Sequence, residues 1–539
     1  MRDLKASILV KYLIGFSVIL IGFLVFLFRM WIPTYDRVGW YYPFGWDTPQ
    51  YLAFTRQILE YGYLETVTSN KGYPFGVHAI LASLSIISEQ DIVDIGLIFP
   101  LVWLIIYQFT SFFTLYEATR NLIISAVIAA LVPFQYLMLR LVSHLWGQLA
   151  YTSLLPILIY LISSYVSKRR ISALFLLTGI IALLWFLWPW GIFISSITLF
   201  STLCFIRFCR KNELIHMKIP KEVLICILLG SISLVLHMIW QVPIFGSTFQ
   251  GVISISRSRP VFTFSVFLRY LFNNSVIILL IFTISIGLSV KKFAKSFNHD
   301  LNELSMQDIL VSLITVYNLS LLVILGILSL LDPNAREFQY RLSLSAMPLL
   351  SVAIGIHLIC NSSKLKKMLI LTRRERAMRI SMKLSTILLV ILLLMTISQF
   401  PPTIPDEVQK HVWVRWLSVN DRTLINSLKM IKSSYGESLG RKSLIIVPFN
   451  YKYRSLSELL LLNLTIRSFL PNALIVLYNG DSWNGSVLIN YLPKEVMGNY
   501  RLRKVHMIIV IIREIISVSN LPPNCAEDLK RIGYCIIEA

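Results

Sequence analysis

Charged residues are scarce. Asp, Glu, Lys and Arg together make up 14% of the 539 residues, where a soluble globular chain carries about 25%. With 56% hydrophobic residues and a mean hydropathy of +0.69, the chain has too little polar surface to cover itself in water. A soluble enzyme and a disordered protein are both excluded. Acidic residues are scarcest, 28 against 50 Lys and Arg, for a net charge of +22. The excess cations are spread over loops and form no nucleic-acid motif. They indicate basic loops facing anionic lipid, with no nucleic acid as partner. Six cysteines are too few for a disulfide framework. P-loop, H-E-x-x-H, C-x-x-C and G-x-S-x-G patterns are all missing, which argues against ATP-driven transport and zinc proteolysis by this chain. No A-x-A site follows the first apolar run, Ile8 to Trp31, and that run is too long for a signal peptide, so it reads as a retained helix.

Long apolar runs are what the sequence has. They fall at about 8–31, 94–115, 121–139, 149–166, 171–189, 190–206, 223–243, 264–290, 309–331, 342–360 and 384–399, each near the ~20 residues that cross a bilayer. The fold class is therefore an α-helical polytopic membrane protein with eleven transmembrane helices over 1–399. A further run, Tyr73 to Ser88, is short, opens with Tyr-Pro and contains His78. Charge decides its place. If it does not cross and the N-terminus is cytoplasmic, the inner segments carry about 23 Lys and Arg and the outer loops 32–93, 140–148, 244–262 and 332–341 about 8. If it crosses, Lys168-Arg169-Arg170 and the basic run Lys364 to Lys383 move outside. We expect an interfacial or re-entrant helix on the outer face, in a multi-pass protein of the plasma membrane.

The tail, 400–539, follows outside and has a different composition. Ser443 to Pro448, Ala473 to Leu477 and Val505 to Ile512 read as strands, and 420–435 and 455–469 as helices. Their alternation predicts a small extracytoplasmic α/β domain. Two sequons, Asn463-Leu-Thr465 and Asn484-Gly-Ser486, fit that location. Cys525 and Cys535 are its two cysteines, either a disulfide pair or two small buried hydrophobes.

The long loop after the first run carries the chemistry. It reads Tyr42-Pro-Phe-Gly-Trp-Asp47-Thr-Pro-Gln-Tyr51, then a helical pattern to Glu60, then Tyr61-Gly62-Tyr63 and Tyr73-Pro-Phe-Gly-Val-His78. Asp47 stands at a helix start, where Asp serves as an N-cap. The functional alternative is a general base that removes a proton from an acceptor hydroxyl, or a ligand to Mg²⁺ or Mn²⁺ with Asp36 as its partner. His78 is either an orienting group for phosphate or acceptor, or a satisfied interfacial histidine. Trp185, Trp188 and Trp190 read as an aromatic belt or a sugar-stacking surface. His237 lies inside an apolar run.

A first span followed by a long outer loop with x-W-D-x-x-x-Y, x-Y-G-Y and Y-P-x-G-x-H resembles the GT-C superfamily of membrane glycosyltransferases, which includes oligosaccharyltransferase catalytic subunits and protein O-mannosyltransferases. In motifs the resemblance covers 36–80, and in architecture the whole chain. It implies a polyprenyl-phosphate-linked sugar donor, membrane lipids around the spans, and Asp47 as the catalytic residue. It agrees with a polar, acceptor-contacting second outer loop, Arg140-Leu-Val-Ser-His144-Leu-Trp-Gly-Gln148, so that His144 joins Asp36 and His78 as candidate substrate-binding residues. A phosphate-binding arginine at the start of a late span falls to Arg336 or Arg341, whose guanidinium geometry suits phosphate. Arg257 and Arg259 are weaker candidates of that kind. The chain departs from the family in three ways. It has no acidic pair in the second outer loop, no Trp-Trp-Asp-Tyr-Gly motif in the tail and no paired Asp-Glu. These absences argue against Asn-linked protein glycosylation and weaken a metal-dependent reaction. Two rival readings are a secondary transporter or lipid flippase, and a non-catalytic scaffold of GT-C fold.

Overall fold

The computed structural model describes residues 2–38, 42–43, 45, 47–69, 76–135, 138, 141–142, 145–168, 171–188, 276–296, 305–331, 348–360, 419–435, 443–448, 464–471, 474–478, 507–511 and 534–538. Those residues are mostly helical. Three helical stretches are long and apolar enough to cross a membrane: Tyr12–Asp36, Ile92–Thr119 and Trp146–Tyr165. The chain divides into two compact units, one of 1–32, 70–77 and 100–404, the other of 33–69, 78–99 and 405–539.

The first unit opens with α1 (Arg2–Phe26), which passes through a π-helical turn at Leu27–Trp31. Apolar side chains surround α1. Ile19, Phe23 and Phe26 are buried on one face, while Leu13, Ile14, Leu20, Ile21 and Leu24 are exposed on the other. A helix apolar on every side is a membrane span or lies in a large core. Its buried face packs on α7 (Leu122–Leu131), where Gly22 lets the two backbones meet: a Cβ there would stand 2.7 Å from the Ala130 carbonyl oxygen. Over 121–139 the α-helix ends at Leu131 and tightens to a 3₁₀ turn, Val132–Phe134, which contains Pro133.

Helix α6 (Ile92–Thr119) is joined to α8 (Trp146–Lys168) by hydroxyls. Thr110 donates to the Ser153 carbonyl at 2.6 Å, Thr114 to the Pro156 carbonyl at 3.0 Å, and Ser153 to the Trp103 carbonyl at 2.8 Å. Where no water competes, such bonds join helices. Helix α8 also packs on α9 (Ile171–Leu187) and α11 (Met306–Leu331), and α10 (Val276–Ser296) on α12 (Pro348–Cys360).

The second unit holds α2 (Ile32–Val38), α3 (Thr48–Tyr61), α4 (Tyr63–Ser69), α5 (Gly76–Ser88) from His78 onward, and the head of α6. The tail adds α13 (Val419–Tyr435), a helix α14 over 464–469, and strands β1 (Ser443–Pro448), β2 (Leu474–Tyr478), β3 (Met507–Ile511) and β4 (Tyr534–Glu538). The sheet order is β2-β1-β3-β4. β1 pairs in parallel with β2 and β3, and β4 pairs antiparallel to β3. Parallel neighbours need a crossover, and α14 lies in the connection from β1 to β2. Cys535 sits in β4 opposite Val510; Cys525 lies outside the described residues.

Candidate functional site

Helix α3 begins as its sequence requires. Thr48-Pro49 places proline in the first turn, where its missing N–H costs nothing. The buried face is Thr48, Tyr51, Leu52, Thr55 and Arg56, the spacing of one helical stripe. Asp47 occupies the N-cap position in a helical backbone conformation, φ −85° and ψ −8°, and its side chain makes no capping hydrogen bond.

One turn further on, the Tyr51 ring meets the His78 ring at 5.2 Å, and Phe54 meets it at 5.8 Å. His78 is fully buried in the first turn of α5. Gly76, two residues earlier, passes the Phe186 carbonyl too closely for any side chain. The two aromatic motifs of the loop thus meet through Tyr51 and His78, one helical turn along α3 from Asp47.

Asp36 is exposed on α2. His144, Arg336 and Arg341 lie outside the described residues, as do Arg257, Arg259, His237 and Trp190. Trp185 is on α9, and Trp188 is buried with its ring edge-on to Tyr151 at 5.3 Å. Among the described residues no group of three His, Cys, Asp or Glu side chains could hold a metal ion. A hard cation at Asp47 and Asp36 would need further oxygens.

A second constellation lies in the same unit, and sequence reasoning missed it. Arg56 Nη2 donates to Asp91 Oδ2 at 2.8 Å, and Lys432 of α13 donates to that same oxygen. Asp91 Oδ1 accepts the Val93 amide at 2.9 Å and so caps α6. Arg56 Nε donates to the Ser468 carbonyl at 3.1 Å, and the Tyr42 hydroxyl donates to Ser468 Oγ at 3.2 Å. The Tyr42 ring lies 5.9 Å from Phe469. A longer pair, Lys429 with Asp94 at 3.7 Å, adds to the join.

Burial works to raise the Asp91 carboxyl, but the Arg56 and Lys432 cations outweigh it and hold the group down at about 2. Lys432 is pushed below the usual lysine value, by burial and then by Arg56, against the pull of Asp91. Burial also pushes the Tyr42 phenol up, against its hydrogen bond to Ser468.

A local signal for this cluster does exist. Arg56 is the one cation in Thr48–Tyr61, and it falls on the apolar stripe, where a charge must find a buried partner. No protein-family model matches the chain, and no curated protein matches it.

Proposed function

We propose that the chain is a GT-C-type membrane glycosyltransferase that takes a sugar from a polyprenyl-phosphate-linked donor on the outer face of the plasma membrane. The observation that carries this reading is the meeting of His78 with Tyr51, the residue one helical turn after Asp47. It joins the two aromatic motifs at the turn of helix that follows Asp47.

In this reading Asp47 takes the proton of the acceptor hydroxyl. The hydroxyl oxygen attacks the anomeric carbon, and the bond from that carbon to the phosphate oxygen breaks with its electron pair leaving on the polyprenyl phosphate. A single in-line displacement inverts the anomeric configuration. Arg336 or Arg341 receives the phosphate, and His78, His144 and Asp36 contact donor or acceptor. Eleven spans enclose the isoprenoid tail, and 400–539 is an extracytoplasmic α/β domain with Cys525 and Cys535 as its candidate disulfide. The distribution of charge favours an enzyme over a coupled transporter, which needs ionisable groups within its spans. Among the three described candidate spans, Tyr12–Asp36 carries Arg29 and the terminal Asp36, Ile92–Thr119 carries Asp94 and Glu117 in its terminal turns, and Trp146–Tyr165 carries no charged residue.

The test is turnover. The purified chain in reconstituted membranes is offered a panel of radiolabelled polyprenyl-phosphate sugars. Transfer or hydrolysis of at least one donor is expected; a folded protein that turns over none contradicts the proposal.

A further inference from the structure

Asp47 lies between two residues that end on the same residue of the tail. Tyr42, before it, donates to the Ser468 hydroxyl; Arg56, after it, donates to the Ser468 carbonyl. The stretch 42–56 is therefore stapled at both ends to α14. Asp91 completes the staple. Its Oδ2 receives Arg56 and Lys432, which tie α3 to α13, while its Oδ1 caps α6. The sequence separations are 426, 412, 341 and 35 residues, so nothing local imposes these contacts. The Arg56 side chain is 11% exposed. A guanidinium that far from water is held only while its partners stay in place.

We propose that the C-terminal tail positions the transfer chemistry: Asp91, Arg56 and Ser468 are positioning residues that hold the segment bearing Asp47. The inference rests on the transferase reading for the role of Asp47, though the staple itself stands apart from it. Its logic is that of any preorganised site. A base that drifts by about an ångström loses on the order of a hundredfold in rate, while binding made elsewhere persists. Loss of the staple therefore lowers kcat and leaves the donor KM in place.

The test uses the full chain in reconstituted membranes, as wild type, Asp91→Asn, Asp91→Glu and Tyr42→Phe. The control is Glu117→Gln, at the Glu117–Arg120 pair at the C-terminal end of α6. Amide hydrogen exchange over 48–61 and 419–435 reports the staple, and turnover of a polyprenyl-phosphate sugar reports the positioning. In Asp91→Asn, exchange over both helices is expected to rise about tenfold or more. Its kcat should fall about tenfold with donor KM within about twofold. Asp91→Glu should recover most of the loss, and Tyr42→Phe should move both readouts the same way by less. The control should move neither. Unchanged exchange in Asp91→Asn overturns the staple. Faster exchange with unchanged kcat overturns the positioning role. If Asp91→Asn does not fold, Tyr42→Phe decides on the same two readouts. A wild type that turns over no donor overturns the transferase reading, and exchange alone then decides whether the tail holds α3.

Discussion

A carboxylate that receives two cations and a backbone amide keeps its negative charge deep into acid. The Asp91 carboxyl lies at about 2 in the folded chain, against ~3.9 for an unperturbed aspartate. A lowered folded value means that stability is fully present above the unfolded value and is lost as the pH falls through the folded one. The window is thus from about 4 down to about 2, and the depression is worth roughly 2–3 kcal/mol. Acid titration followed by tryptophan fluorescence should show a loss of structure in that window for wild type and a weaker one for Asp91→Asn. Identical titrations would contradict the assignment. Lys432 has a different sign consequence. Its lowered folded value means that its own protonation opposes folding, and this cost is relieved as the pH rises through the lysine range. The position of Asp47 at a helix start was legible in the sequence because Thr48-Pro49 announces a first turn. The meeting of Tyr51 with His78 was not, since no rule of spacing joins residues across a loop. Asp91 and Lys432 were hidden for the same reason. Arg56 alone left a mark, a charge on a buried stripe.

Among elements, α1 and α7 approach through small residues rather than through interlocking large ones. Gly22 is the point of closest approach, and a side chain there meets the Ala130 backbone, which cannot step aside as a flexible side chain can. Overpacking of this kind costs about 1–3 kcal/mol. Gly22→Val should lower the thermal midpoint of the detergent-solubilised protein by several degrees, while Gly179→Val, where the added atom meets nothing within 4 Å, should change it little. Equal midpoints for the two would contradict the close approach. Apolar run length served well for the stretches that became Tyr12–Asp36, Ile92–Thr119 and Trp146–Tyr165. Over 121–139 the described residues show a feature that run length does not carry: Pro133 falls in a 3₁₀ turn after ten α-helical residues. Hydropathy sums over a window and does not register where a backbone hydrogen bond is lost. β-Branched runs marked β1, β2 and β3, whereas Tyr534–Glu538, no shorter than β2 or β3, has two β-branched residues and ends in a charge.

At the scale of the molecule, the loop after the first span and the C-terminal tail belong to one compact unit, although more than three hundred residues separate α5 from α13 in sequence. Composition separated the tail from the spans but could not pair it with the loop, because the joining contacts are single residues in each. The charge asymmetry of the loops predicts the side on which that unit lies. In a background lacking the six native cysteines, Glu89→Cys should react with an impermeant maleimide on intact cells, and Ser167→Cys only after permeabilisation. The reverse pattern would invert the topology. The central claim is that Asp47 is the base of a sugar transfer, and the most direct measurement compares wild type with Asp47→Asn in reconstituted membranes under donor saturation. Loss of a general base lowers the rate by about 10²–10⁴. The account predicts a fall of that size with donor binding and thermal midpoint unchanged; equal turnover by the two proteins would contradict it.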